Sequence, residues 1–117
     1  MILSSSSLSS NPVKNLEGED LGKIEDFMID TETGEVEYAV LSFGGFLNMG
    51  DKLFAIPWQA LEVDKENECF ILNVDKDRLE NAPGFDKDNW PDMADSKFRD
   101  RVYNHYGLEY RGNATTI

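Results

Sequence analysis

The chain has 117 residues, with 23 acidic side chains against 11 basic ones for a formal net charge of -12, and is 40% hydrophobic and 29% charged. That length suits one compact domain plus a tail that buries a true core without disulfides or metals, and the apolar fraction excludes wholesale disorder. The charge excludes a surface that gathers phosphate backbones or anionic lipid headgroups, although acidity by itself names no partner. A single cysteine, Cys69, leaves no intramolecular disulfide and no redox or metal spacing. The start, MILSSSSLSS, lacks a basic segment followed by a continuous apolar run, and no stretch approaches the length of a membrane span. A cytoplasmic location without direct membrane insertion is the expectation.

Residues 1–10 contain six serines and read as a loose arm, with Leu8 and Val13 placed to anchor its end. NLEGEDLGKIEDFMID then turns around Gly18 and Gly22 into an extended run whose large apolar residues are Ile24, Phe27 and Ile29. Strict alternation from Ile24 leads to Asp26 and Met28, so the apolar phase slips by one near Glu25 and Asp26, as a β-bulge makes it do. Asp30 to Gly34 is a turn by its chemistry: Asp30 caps its own backbone and Gly34 supplies positive φ.

EVEYAVLSFG follows, with Val36, Tyr38 and Val40 on one face and Ala39, Leu41 and Phe43 on the other. A strand apolar on both sides must be covered on both sides: one face is a core, and the other needs a helix, an arm or another subunit. Lys52 to Trp58 is the next strand, placing Phe54, Ile56 and Trp58 on one face, with Pro57 ending its use as a ladder donor. Leu61 to Val63 is short and extended, 64–68 turns, and Cys69 to Val74 returns with Phe70, Leu72 and Val74 in phase. About six short strands separated by glycine or acidic turns predict a mainly β fold, a small barrel or sandwich. After Val74 the texture changes. Asp75 is placed to cap a short helix that Pro83-Gly84 stops, GFDKDNWPDM reads as irregular, and a helix near 93–106 carries Ala94, Phe98, Val102 and Tyr106 at i, i+4 spacing, with Gly107 at its end.

No catalytic constellation emerges. Gly45 and Gly50 have the glycine spacing of a phosphate loop, but Asp51-Lys52-Leu53 displaces the lysine, removes the hydroxyl and is followed by a strand instead of a helix. Asp86 to Asp92 mimics the first half of a calcium loop and fails where Trp90 and Pro91 stand in for a ligand and the glycine. His105 is the only histidine and has no nucleophile beside it in a recognisable spacing. Neither a metal nor a cofactor is expected. The aromatic set is richer than one core face requires, and Phe43, Phe46, Leu47, Trp58, Phe85 and Trp90, with the Gly44-Gly45 pair, are candidates either to close the barrel ends or to form a protein contact.

With these segments in order, the chain resembles the PRC-barrel family, named for the cytoplasmic domain of the photosynthetic reaction centre H subunit and shared with the C-terminal domain of the ribosome maturation factor RimM. The residues that carry the resemblance are Val13-Lys14-Asn15, GEDLGKIEDFMID (Gly18 to Asp30), EVEYAVLSFGGF (Glu35 to Phe46), GDKLFAIPW (Gly50 to Trp58) and FILNVDKDRLENAP (Phe70 to Pro83). PGFDKDNWPDM looks like an extension carried by a bacterial subset. The resemblance implies a PRC-type barrel over 8–83, after a flexible arm at 1–7 and before a C-terminal extension at 84–117. It implies a non-enzymatic module that acts through protein contacts, an adaptor or regulator whose partner is another protein or a further copy in a homodimer or higher homo-oligomer. Neither the transmembrane helix of the first relative nor the N-terminal domain of the second is expected from this sequence, so neither role is expected to transfer whole. Two alternatives stand beside this reading: a ribosome-assembly or RNA-linked factor, against which the charge weighs for direct nucleic-acid contact, and a small-ligand or metal sensor using the open barrel end.

Overall fold

A computed structural model describes residues 2–9, 11–43 and 52–110. The elements run α1 (Ser5–Ser9), β1 (Pro12–Lys14), β2 (Asp20–Asp30), β3 (Glu35–Phe43), β4 (Lys52–Pro57), a 3-10 turn (Trp58–Ala60), β5 (Leu61–Asp64), β6 (Cys69–Leu72), α2 (Lys76–Glu80), β7 (Gly84–Phe85) and α3 (Ser96–His105). Seven strands form one sheet in the order β5-β6-β1-β2-β3-β4-β7. All neighbours are antiparallel except β1 and β6, which run parallel. The fold is mainly β, with one strand more than the six expected. The additional strand is β7, in a stretch that reads as irregular: Gly84 pairs with Phe54 so closely that a Cβ there would lie 2.9 Å from the Phe54 ring.

Local chemistry sets the ends of these elements. The β2–β3 register skips one residue between Ile24 and Asp26, the bulge that the slipped apolar phase predicts. The hairpin tip closes as its residues require, with the Asp30 carboxylate accepting from the Glu32 N–H at 2.9 Å and Gly34 at φ 78°. Asp75 caps α2 by accepting from the Arg78 N–H at 2.7 Å, and Asp95 caps α3 by accepting from the Lys97 N–H at 2.9 Å. At the other end of α3, Gly107 adopts φ 69°, and the Gly107 and Leu108 amides return to the Asn104 and Tyr103 carbonyls, the paired bonds of a Schellman cap. Ala94 falls outside the helix and is exposed, so the buried stripe is Phe98, Val102 and Tyr103, with Tyr106 half-buried at the cap. The serine-rich start, which reads as a loose arm, forms one helical turn whose Leu8 packs on the inner core.

The two faces of β3 divide the hydrophobic interior. Ala39, Leu41 and Phe43 enter an inner cluster with Val13, Leu21, Ile24, Phe54, Ile56, Phe70 and Leu72. Tyr38 and Val40 enter an outer cluster with Leu53, Ala55, Phe85 and the α3 residues Phe98, Val102 and Tyr103. The second cover is therefore the chain's own C-terminal helix.

The inner cluster also shows that the sheet rolls. In a flat sheet, β4 and β6 would lie four strand spacings apart, about 19 Å. Yet Trp58, the first residue after β4, places its ring 6.2 Å from Phe70 of β6 and 6.0 Å from Phe27 of β2, edge-on to both. Rolling stops short of closure, since β5 and β7 end the strand order without pairing. Gly22 lies where β2 changes from its β1 partner to its β3 partner. At φ 125°, a Cβ at this position would stand 2.1 Å from the Ser42 carbonyl oxygen.

Gly22→Ala is expected to lower stability by at least about 2 kcal/mol, because backbone must move as well as adopt a disfavoured φ. Gly18→Ala, at φ 83° in open space, should cost only about 1 kcal/mol. Urea unfolding of the two variants checks the contrast, and equal losses would show that φ alone sets the cost at Gly22.

Candidate functional site

The structure separates the aromatic candidates. Phe43 is buried in the inner cluster, 6.2 Å from Phe54. Trp58 is half-buried and bridges β2 to β6, and Phe85 is buried in the outer cluster. Gly44, Gly45, Phe46 and Leu47 lie outside the described residues. Trp90 is the candidate with a large accessible surface, 40% exposed.

Trp90 is exposed but not loose. β7 ends in a turn closed by the Asn89 amide on the Asp86 carbonyl at 3.0 Å, which brings the indole back over Phe85 with ring centroids 5.1 Å apart. The indole Nε1–H donates to the Lys87 carbonyl at 2.8 Å. Both degrees of freedom of the side chain are thereby restrained before any partner arrives, and a preordered aromatic loses less entropy on association. Lys52, Phe85, Asp86, Asn89, Trp90 and Pro91 line a shallow hollow of about 500 Å³. Lys52 is also the first described residue after 44–51, the stretch of sequence that contains Phe46. Of the calcium-like stretch, Asp92 uses its carboxylate to accept from the Ala94 N–H at 3.0 Å. Among the described residues no group of three or more His, Cys, Asp or Glu side chains is gathered as a metal ion would need.

The remaining chemistry-bearing residues have structural partners. His105 Nε2 lies 2.7 Å from the Arg78 carbonyl, while the Arg78 guanidinium donates to the His105 carbonyl. This reciprocal clasp joins α2 to α3, and sequence spacing offers no sign of it because the two residues stand 27 positions apart. Cys69 is buried where β6 begins.

Near the tip of the β2–β3 hairpin, carboxylates crowd a partly buried glutamate. Burial, then the neighbouring carboxylates Asp30 and Glu35, push the Glu37 carboxyl above its ordinary range, and Arg99 only partly offsets them. Burial likewise raises the hydroxyls of Tyr38, Tyr103 and Tyr106. Asp64 moves the other way, lowered by hydrogen bonds from the side chain and backbone of Asn67 across the β5–β6 turn.

The family model for the PRC-barrel domain matches residues 2–79, more than half of the chain. The chain belongs to the PRC-barrel family. Comparison with curated proteins finds no match. As a PRC-barrel, the chain is a small β-barrel module, and no helix among its described residues is long and apolar enough to cross a membrane. The matched segment contains β1 to β6, whereas β7, Trp90 and α3 lie beyond it. The PRC-barrel and its extension thus meet at the outer face of β3 and β4.

Two outcomes follow. Trp90→Ala should cost less than about 1 kcal/mol, because a partly exposed ring contact and one exposed hydrogen bond are lost, whereas Phe85→Ala should cost about 3 kcal/mol through an emptied place in the outer cluster. Denaturant titration separates them, and comparable losses would make Trp90 a core residue. For Glu37, a raised folded pKa means that its favourable contribution is complete below the ordinary carboxylate pKa and is lost as pH rises through the raised value. Glu37→Gln should therefore raise the thermal midpoint relative to the parent at about pH 7 by more than at about pH 3.5. A difference that is the same at both pH values would contradict this linkage.

Proposed function

We propose that this PRC-barrel is a non-enzymatic adaptor or regulatory module that acts by binding another protein. The observation that supports this most directly is Trp90, held in one orientation by Phe85 and the Lys87 carbonyl yet 40% exposed beside a hollow. Tryptophan is among the residues most enriched at binding hot spots, and a restrained ring presents its area at low entropic cost. PRC-barrel domains are generally non-catalytic modules, in keeping with this reading. The contact in this proposal includes Trp90 and Lys52, while Phe43, Trp58 and Phe85 belong to the frame.

The test is an in-cell crosslinking pull-down of the tagged chain, with parent and Trp90→Ala compared by mass spectrometry. A heterologous protein recovered with the parent and depleted at least about tenfold with the variant is the expected result. Identical recoveries from a folded variant, or recovery of the chain alone, would overturn the adaptor reading at this surface.

A further inference from the structure

A second surface lies at the tip of the β2–β3 hairpin, where the extension passes over it. Residues of β2, the hairpin turn, β3, the segment before α3 and α3 itself line a groove of about 540 Å³. Its base is apolar: Tyr38 is buried, and Met28 and Met93 are half-buried against the outer cluster. Ile29 stands at its side 56% exposed, one of the few large aliphatic residues left in solvent. Around this base are the carboxylates Asp30, Glu32, Glu37 and Asp92, with Arg99 as the single cationic lining residue among the described residues.

Arg99 offsets this rim only in part. Its guanidinium lies 4.0 Å over the ring of Tyr110, itself a lining residue, and forms an ion pair with Asp100, which is not in the groove, at 3.5 Å. The raised Glu37 carboxyl agrees with that geometry, since its nearest strong influences after burial are other carboxylates. An apolar base within a negative rim complements a side-chain pattern of the opposite kind, with an aliphatic residue to cover Met28, Ile29 and Met93 and a lysine or arginine beside it to meet the rim. A second copy of the chain is a poor occupant, because it brings the same net charge of -12.

The geometry points to this groove as a docking site for an extended basic segment of a partner protein, one that alternates aliphatic with lysine or arginine side chains. The assignment rests on the adaptor reading only in that the chain works through protein contacts, and it uses a different surface from Trp90.

The probes are two synthetic heptapeptides with leucine at alternate positions, one carrying lysine and arginine between them and the other glutamate. Each is titrated into the isotope-labelled full chain and followed by amide chemical shifts. The basic peptide should move amides at 29–32, 37–38 and 93–94, weaken as salt rises from about 50 to about 500 mM, and leave the glutamate peptide without effect. Glu32→Lys combined with Glu37→Lys should reduce affinity at least about tenfold. If that pair disturbs folding, Glu32→Lys with Asp92→Lys, both at exposed positions, carries the same expectation. No shifts, shifts centred on Trp90, an equal response to the glutamate peptide, or unchanged affinity in a folded charge-reversed variant would each overturn the assignment.

A photocrosslinking residue placed in cells at Ile29 or at Trp90 separates the two readings. Capture at Ile29 of a segment bearing lysine or arginine supports the groove. Capture of a heterologous protein at Trp90 alone removes the groove and leaves the adaptor reading, capture of a second copy at Ile29 removes the groove as a heterologous site, and capture at neither position removes both.

Discussion

Strand β3 is apolar on both faces, and that requirement organises the molecule. Its inward residues Ala39, Leu41 and Phe43 are satisfied by the rolled sheet, while its outward residues Tyr38 and Val40 would be left in water by the sheet alone. Burying a large apolar side chain is worth about 1.5–3 kcal/mol, so a bare outer face would forfeit a large part of a small domain's margin. Helix α3 supplies the cover with Phe98, Val102 and Tyr103, and the edge-on contacts of Tyr38 with Phe98 and Tyr103 fix where it sits. The extension is consequently part of the folded unit, although the family match ends before it.

Rolling the sheet is a separate problem, solved by residues whose roles depend on one another. Trp58 reaches across to Phe27 and Phe70 and ties distant strands together. Gly22 lets β2 run so close to β3 that no side chain fits between them, and the bulge at Glu25 bends the same strand. A large aromatic on the inside and a missing side chain on the backbone are complementary means of producing tight curvature. They also explain why the aromatic-rich segments are mostly structural, with Phe43, Trp58 and Phe85 consumed by the frame.

What the frame leaves over is unevenly distributed. One side carries a restrained, accessible Trp90 next to Lys52, and the hairpin side carries a carboxylate-rimmed groove over methionine and tyrosine. Both are assembled where the extension crosses barrel strands, so both depend on α3 staying docked. The Arg78–His105 clasp holds that arrangement by joining the helix that ends the family match to the helix of the extension.

Much of this was readable along the chain, wherever the physics is local. Alternation assigned Tyr38 and Val40 to one face of β3 and Leu41 and Phe43 to the other, and a slipped phase located the bulge at Glu25. Capping chemistry marked Asp75 and Gly107, because a carboxylate before a helix and a glycine after it act within a few residues. Pairings between distant segments were not readable. Nothing in Gly84-Phe85 announces a strand, since two residues carry no period and the pairing depends on the edge that β4 offers. The same holds for Trp58 meeting Phe70, for the Arg78–His105 clasp, and for which aromatics remained exposed. Periodicity and capping are properties of neighbouring residues and are written in the sequence, whereas burial at a particular aromatic depends on what the fold brings against it, and only the tertiary structure decided that.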